Sequence, residues 1–440
     1  MDFQPVLMAA GRGSRLTPLS DNISKCLLPI GNIPMLWFPL RSFDLAGFND
    51  ILIIVLQSWK NKVLHALEQM QRRVPWSTPG FRYSFHTITD DCNEDEGTAT
   101  TLLKIPETRK TDLLVMSSDL ITTTPLKELM HQHCLHQSTL TCLMKQQTKP
   151  DGPIPGLKTK SISKESDIIG LDTADSRLLF IFSEADHEDS IPVKQTVLER
   201  HPCVDVTSRL EDCHLYCISK TSVFNDDVKV RGCSSLRSEL VPYLVSRQFE
   251  SSRPQREDCV EELSMDLVTK LSSWTDHTGD MDGPYHDSNV KCYVRLADPN
   301  RLCLRANSLP DYYEANKQIG SYAEYFGLTN FYKLPSELKR SQAGQDSAIG
   351  TQLKLGEKSA IKKSIIGNDC EIGARVKINN TILMNNVKIK DGSVLQTCII
   401  CEGSTVEAKT ELKECIVSAK VAQPGKYTNE VVADDDEFAD

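Results

Sequence analysis

The chain has 440 residues, carries a formal charge of −10, and is 40% apolar and 25% charged. That length exceeds one hydrophobic core and predicts at least two folded domains. No long Lys/Arg cluster is present, which disfavours direct binding to nucleic acid or to an anionic membrane, and no apolar run approaches the roughly 18 residues of a membrane span.

The opening MDFQPVLMAAG lacks a basic n-region and reads as a first buried strand, Pro5–Ala10, rather than a signal peptide. Leu36, Leu40 and Phe43 recur at helical spacing, and Gly47 follows near the end of that helix. Ile51–Leu56 has the continuous apolar character of a strand buried on both faces, and Lys60–Gln71 returns to a helical pattern. Phe81–Thr87 is predicted as a strand, Thr98–Leu103 as a short helix, and Leu113–Met116 as a strand ending at Ser117, Ser118 and Asp119. A helix starts at Thr124–Pro125, since the hydroxyl caps free amides and proline suits a first turn. The strand Thr139–Met144 follows. This βα alternation predicts a doubly wound sheet whose site lies at the carboxyl ends of its strands.

Residues 146–167 are polar, with Pro and Gly, and read as a long loop. Strands at Ile168–Leu171, Leu178–Phe182, Val204–Ser208 and His214–Ile218, then a helix at Leu236–Val245, complete a first domain over 1–249. The acidic stretch 250–288 is expected to be a linker or surface excursion with one short helix near 259–272. Segment 289–343 resumes with a strand at Val290–Val294 and a connecting helix around 310–326. Tyr312, Tyr313, Tyr322, Tyr325, Phe326, Phe331 and Tyr332 there predict local core or interface packing.

Between residues 347 and 418 a six-residue period takes over. Ile349, Leu355 and Ile361 are spaced by six; Ile366, Ile372 and Ile378 resume after a one-residue slip; Val394, Ile400, Val406 and Leu412 continue. Neither a helix nor a strand generates this period. A coil with three short faces per turn does, each face sending one aliphatic side chain inward. The repeat predicts a parallel β-helix over 344–420, in four turns if each takes three hexads, followed by an acidic tail over 421–440. No histidine follows His286, which argues against acyl transfer by the coil.

The turn after the first strand, AAGRGSRLTPLSDNISKCLLPIGN, combines Gly11 and Gly13 with Arg15 and Lys25. Glycines let backbone amides face an anion, and the cations supply charge for phosphate. The alternative is a tight strand-to-helix connection with its charges in solvent. A Walker loop is excluded because no GK[ST] follows, and the dinucleotide fingerprint lacks its third glycine. The 15 cysteines are scattered without metal-ligand spacing and read as reduced thiols of a cytosolic protein. Cys26 is expected to be silenced by burial, His131, His133 and His136 to be exposed at a helix end, and Asp90, Asp91, Glu94, Asp95 and Glu96 to form a solvated lip beside Gly97.

Over residues 3–245 the chain resembles the sugar-phosphate nucleotidyltransferases, through Gly11, Gly13, Arg15, Leu16, Lys25 and Pro29 in the loop. The resemblance extends to Gly97–Thr98–Ala99 as a base-contacting element and to Asp119 as a magnesium-binding aspartate. It implies an α/β nucleotidyltransferase-like (Rossmann-like, mostly parallel sheet) domain followed by a left-handed parallel β-helix of hexapeptide repeats. The departures are Ala10 at the first-glycine position, Ser14 for threonine, Ser24 before Lys25, and no clear second carboxylate; Asp226, Asp227 and Glu239 are the candidates. Phosphoryl chemistry normally needs more than one carboxylate to hold its divalent ion.

Over nearly the full length, FQPVLMAAGRGSRL, SKCLLPIGNIPMLWFPL, LLVMSSDLIT and SSLRSELVPYLV resemble the gamma-type subunits of the guanine nucleotide exchange factor for translation initiation factor 2. This second resemblance implies a non-catalytic or catalysis-supporting subunit, with no catalytic residue required of it. It would pair with an epsilon subunit and help to engage initiation factor 2, in a decamer with two copies each of alpha, beta, gamma, delta and epsilon. Gly11, Gly13, Arg15, Lys25, Gly97, Thr98 and Asp119 are then a vestigial or regulatory nucleotide pocket, with no required cofactor or metal. The aromatic stretch Tyr312–Tyr332 and the flat sides of the hexads are the expected docking surfaces. The competing expectation is a free magnesium-dependent sugar-1-phosphate nucleotidyltransferase.

Overall fold

The computed structural model describes residues 3–89, 97–103, 112–148, 152–156, 166–186, 190–201, 203–220, 232–249, 290–332, 344, 346–418 and 420–433. The acidic lip at 90–96, Asp226, Asp227, the 250–288 linker and the charges of the tail, Asp434–Glu437, lie outside these residues.

A seven-stranded sheet organises the N-terminal body. In chain order its strands are β1 (Phe3–Met8), β2 (Asp50–Leu56), β3 (Arg82–Ile88) and β4 (Asp112–Ser117). A short strand outside it, β5 (Leu120–Thr122), precedes β6 (Leu140–Gln146). After β7 (Asp167–Asp172), β8 (Leu178–Ser183) and β9 (Val204–Thr207), which form a separate three-stranded sheet, come β10 (Leu210–Ile218) and β11 (Cys292–Leu296). The order is β11-β6-β10-β4-β1-β2-β3. All neighbours run parallel except β10, which is antiparallel to both β4 and β6. Ile51, Ile53, Ile54 and Val55 are fully buried on both faces of β2, as the unbroken apolar run requires.

Helices α1 (Trp37–Ala46), α2 (Lys60–Arg73), α3 (Thr98–Leu103) and α4 (Leu126–Leu135) follow where the periodicity places them. Gly47 ends α1 in the left-handed region, φ 89°, donating its amide to Asp44 and Phe43 carbonyls, a conformation that glycine adopts without a Cβ penalty. The predicted helix at Leu236–Val245 is two pieces, a π-helical turn at Leu236–Leu240 running into α-helix Val241–Arg247.

The C-terminal body is a parallel β-helix, and its repeat corrects the hexad count. Every turn but the last is 17 residues, since Ile349 pairs with Ile366, Ile366 with Leu383, Leu383 with Ile400 and Ile400 with Val417. The slip read once in the sequence recurs in each turn, where one face is a residue shorter. Consequently Leu395, not Val394, points inward at the third turn: Leu395 is 1% exposed and Val394 37%. Strands continue to Val431–Val432, past the residue 420 that the hexad pattern reaches.

One face of the coil differs from the other two. Its strands read Ala348–Ile349, Ile365–Ile366, Ile382–Leu383, Ile399–Ile400 and Ile416–Val417, apolar at both positions. The second residue of each pair fills the coil. Of the first residues, Ile382, Ile399 and Ile416 join the core that contains Leu28, Ile30, Tyr312 and Phe326. The coil is therefore docked on the N-terminal body along this face. The helix Leu309–Ile319 (α5 of the helices named here) is wedged at the junction: Tyr312 donates to the Pro29 carbonyl at 2.6 Å and Tyr313 to the Asn380 carbonyl at 2.9 Å. This corrects the expectation that the aromatic stretch faces a partner. Tyr312, Tyr313 and Phe326 are buried within the chain, Tyr322 and Phe331 are half-buried, and Tyr325 is exposed.

Candidate functional site

In an open parallel sheet, ligands bind where neighbouring strands send their connections to opposite sides, beyond the carboxyl ends. Here that place lies between β1 and β4. After β1 the chain enters the glycine turn; after β4 it reaches Ser118 and Asp119, with the Ser118 amide bonded to the Met8 carbonyl at 2.9 Å.

Gly13 sits at φ 83°, and its carbonyl accepts from the Leu16 amide and the Ser20 hydroxyl, each at 2.8 Å. A Cβ at Gly13 would meet the Lys25 Cβ at 3.0 Å, so glycine is required both for conformation and for the approach of Lys25. At Gly11 the nearest atom to such a Cβ is Lys25 Cδ at 4.0 Å, an ordinary contact. Arg15 is exposed.

Lys25 does not reach into solvent. Its Nζ lies 2.5 Å from Oδ2 of Asp119 and also donates to Asn307 Oδ1. The other carboxylate oxygen, Oδ1, accepts from Arg305 Nε at 3.3 Å. Asp119 is wholly buried. Burial alone would raise its pKa, but Lys25 and Arg305 outweigh it and hold the carboxyl well below the usual range. Both oxygens thus face cations of the protein itself. His214 stands in the same electrostatic neighbourhood, on an irregular stretch of β10 with φ 53°. The residue is half-buried, with its Nε2 shielded from solvent and without a hydrogen-bond partner among the described residues; burial first, then Arg305, keeps the ring neutral. This donor set does not fit a magnesium ion, which needs free carboxylate oxygens and a negative surround. Among the described residues no three His, Cys, Asp or Glu side chains converge as metal ligands.

Gly97 and Thr98 are engaged elsewhere. A Cβ on Gly97 would lie 2.2 Å from the Ser234 carbonyl oxygen, the Ala99 amide donates to that carbonyl at 2.8 Å, and the Thr98 hydroxyl accepts from the Leu236 amide at 2.9 Å. The start of α3 is closed by the segment leading into Leu236–Leu240. Glu239, a candidate second carboxylate, accepts from the Ser234 amide at 2.8 Å and lines a separate cavity of about 500 Å³ with Phe180, Val197 and Phe249. It makes no contact with Asp119.

The histidine expectation needs correction at His133 and at His136, whose half-buried ring stacks on Tyr293 with centroids 4.2 Å apart. His131 is exposed, but His133 is buried and shares a 3.0 Å hydrogen bond with Thr141; burial lowers its pKa to about 4, against the opposing pull of Asp112. Cys26 is buried, which pushes its thiol up to about 11 and leaves it unreactive. The residues that the sequence reading missed are Arg305, Asn307 and His214. No motif flags them, since the first two enter the site from the far side of the 250–288 segment.

Known proteins match this architecture. A family model described as nucleotidyl transferase covers residues 4–152, and one described as the EIF2B subunit epsilon LbH domain covers 330–427. The chain is 33% identical to "Translation initiation factor eIF2B subunit gamma" of Schizosaccharomyces pombe, over 94% of this chain and 86% of that protein. The chain belongs to the eIF2B gamma-subunit family. The Caenorhabditis elegans member of that name is 28% identical over 82% of this chain and 79% of its own length. "Mannose-1-phosphate guanyltransferase" of Pichia angusta is 28% identical over only 38% of this chain and 46% of its own. Similarity to the Schizosaccharomyces pombe gamma subunit thus spans both domains, whereas similarity to this transferase covers little more than a third of the chain. The fold is a nucleotidyltransferase domain with a mostly parallel sheet, followed by a left-handed β-helix.

Proposed function

We propose that this chain acts as the gamma subunit of eIF2B, the exchange factor for translation initiation factor 2, and carries out no nucleotidyl transfer of its own. The carrying observation is the closed state of Asp119, whose two oxygens pair with Lys25 and Arg305 inside the protein. A carboxylate held this way must lose one buried and one largely buried cation before it can hold magnesium, and breaking such pairs costs several kcal/mol. Gly11, Gly13, Arg15, Lys25, Gly97, Thr98 and Asp119 are, on this reading, the remnant of a nucleotide pocket now used to hold the first domain together.

The proposed partner set rests on membership of the family. The chain pairs with an epsilon subunit, and the match of its coil to a model described for epsilon supports a shared architecture for that pairing. Alpha, beta and delta subunits complete a decamer with two copies of each of five subunits, which engages initiation factor 2 in the cytosol. Among the described residues no helix is long and apolar enough to cross a membrane.

Co-expression with an epsilon-type chain tests the reading, and stoichiometric co-purification is the expected result. The purified chain, given magnesium, GTP or UTP and a hexose 1-phosphate, is expected to release no pyrophosphate. Robust release that disappears in Asp119→Ala would overturn the assignment in favour of a sugar-1-phosphate nucleotidyltransferase.

A further inference from the structure

A groove of about 350 Å³ runs along the junction of the two bodies, between α2 and one corner of the coil. One wall is a stripe of α2, Lys62, Ala66, Gln69 and Arg73, repeating at helical spacing with a small residue in the middle. The other wall is the column Asn368, Asn385 and Glu402, stacked one coil turn apart. Met70 and Met384 are buried beneath, an adaptable apolar floor. Trp59 closes one end.

Charge and spacing select the occupant. Lys62 lies 4.2 Å over the Trp59 ring and Arg73 5.7 Å over the Phe331 ring, and neither has a carboxylate partner among the described residues. They stand eleven residues apart on one helix, roughly 16 Å along its axis. No single phosphate or carboxylate touches both. An extended peptide advances about 3.3 Å per residue and alternates its side chains, so acidic side chains four residues apart share a face and, with the reach of their own stems and those of Lys62 and Arg73, span the interval. Its backbone would face the coil column. There Asn385 commits its carbonyl oxygen to Asn368, at 2.9 and 3.3 Å, and among the described residues its NH2 has no partner and Glu402 accepts only a 3.5 Å bond from Asn386. A free amide donor and a free carboxylate acceptor suit the carbonyls and amides of a peptide.

We propose that this groove docks an extended acidic peptide of a partner protein, with two carboxylates four residues apart on one face and an apolar side chain between them lying on the methionine floor. The site is distinct from the Asp119 cluster and does not depend on the loss of transferase chemistry.

A fluorescein-labelled synthetic peptide with glutamates at its first and fifth positions and a leucine between them provides the test, read by anisotropy against the full-length chain. Expected are saturable binding that weakens as salt rises, about tenfold loss for Lys62→Glu or Arg73→Glu, and abolition by Ala66→Trp. A peptide of the same composition with adjacent glutamates should bind about tenfold more weakly. Lys62 and Arg73 are exposed, so charge reversal there leaves the fold intact, which circular dichroism verifies. Absence of saturable binding, equal affinity across the variants, or displacement of the peptide by glucose 1-phosphate at lower concentration than by unlabelled peptide would overturn the proposal.

Discussion

Arg305 places its Nε 3.3 Å from Oδ1 of Asp119, although 186 residues of chain separate them. The contact joins the end of β4 to the short strand Cys303–Arg305, which pairs antiparallel with β5. With Lys25 on the other oxygen, the aspartate becomes a structural hub.

Replacing Asp119 by Asn should therefore destabilise the chain, because it leaves the buried Lys25 and the largely buried Arg305 without their counter-charge. A loss of about 3–5 kcal/mol is expected. Urea unfolding of the variant measures it; an unchanged midpoint would mean that the carboxylate is free for a ligand.

Asp119 also sets an acid limit. Its folded pKa is depressed, so the unfolded chain, with an aspartate near the usual value of about 3.9, binds more protons at low pH. The stabilisation is present above that value and is lost as pH falls through it toward the folded value. Unfolding free energy of the wild type, followed below pH 5, should drop more steeply than that of Asp119→Asn.

His133 acts in a higher window. The ring is lowered from 6.5 to about 4 by burial, so the unfolded chain takes up a proton first. Stability is full above about pH 6.5 and declines toward pH 4, by about 1.4 kcal/mol per pH unit within that interval. His133→Gln should flatten the decline between pH 6.5 and 5 in thermal unfolding.

The two glycine positions assigned to nucleotide binding separate by mutation. Gly97→Ala drives a methyl group into the Ser234 carbonyl and should cost 1–3 kcal/mol or more, on the order of other overpacking changes. Gly11→Ala meets only ordinary contact and should stay within about 0.5 kcal/mol. Melting temperatures of the two proteins provide the comparison.

On the coil, Ile399→Ala removes a fully buried side chain from the junction with the first body. About 2–5 kcal/mol should be lost. Val394→Ala, on an outward face, should change little. Equal effects in a denaturant titration would contradict docking along one face.

Much of the fold was readable in the residues. The unbroken apolar run Ile51–Leu56 and the βα alternation gave a parallel sheet, because strands covered on both faces have no polar side. The hexads gave a coil, because no other element repeats at six. The doubled aliphatics Ile365–Ile366, Ile382–Leu383, Ile399–Ile400 and Ile416–Val417 were also visible, and they carry the information that one face is buried inside and out. The aromatic stretch was misjudged as a partner surface because composition reports that Tyr312 and Tyr313 pack, not against what.

By itself, then, the sequence determined the local elements, the coil and the positions of Gly13, Lys25 and Asp119, since propensity and periodicity act over a few residues of chain. Only the tertiary structure decided that Lys25 turns inward, that Arg305 and Asn307 complete the cluster, and that Gly97 packs on Ser234. Those outcomes depend on which distant segments meet when the sheet closes and the coil docks, and the Coulomb interaction that fixes them varies with distance in space, not with separation along the chain.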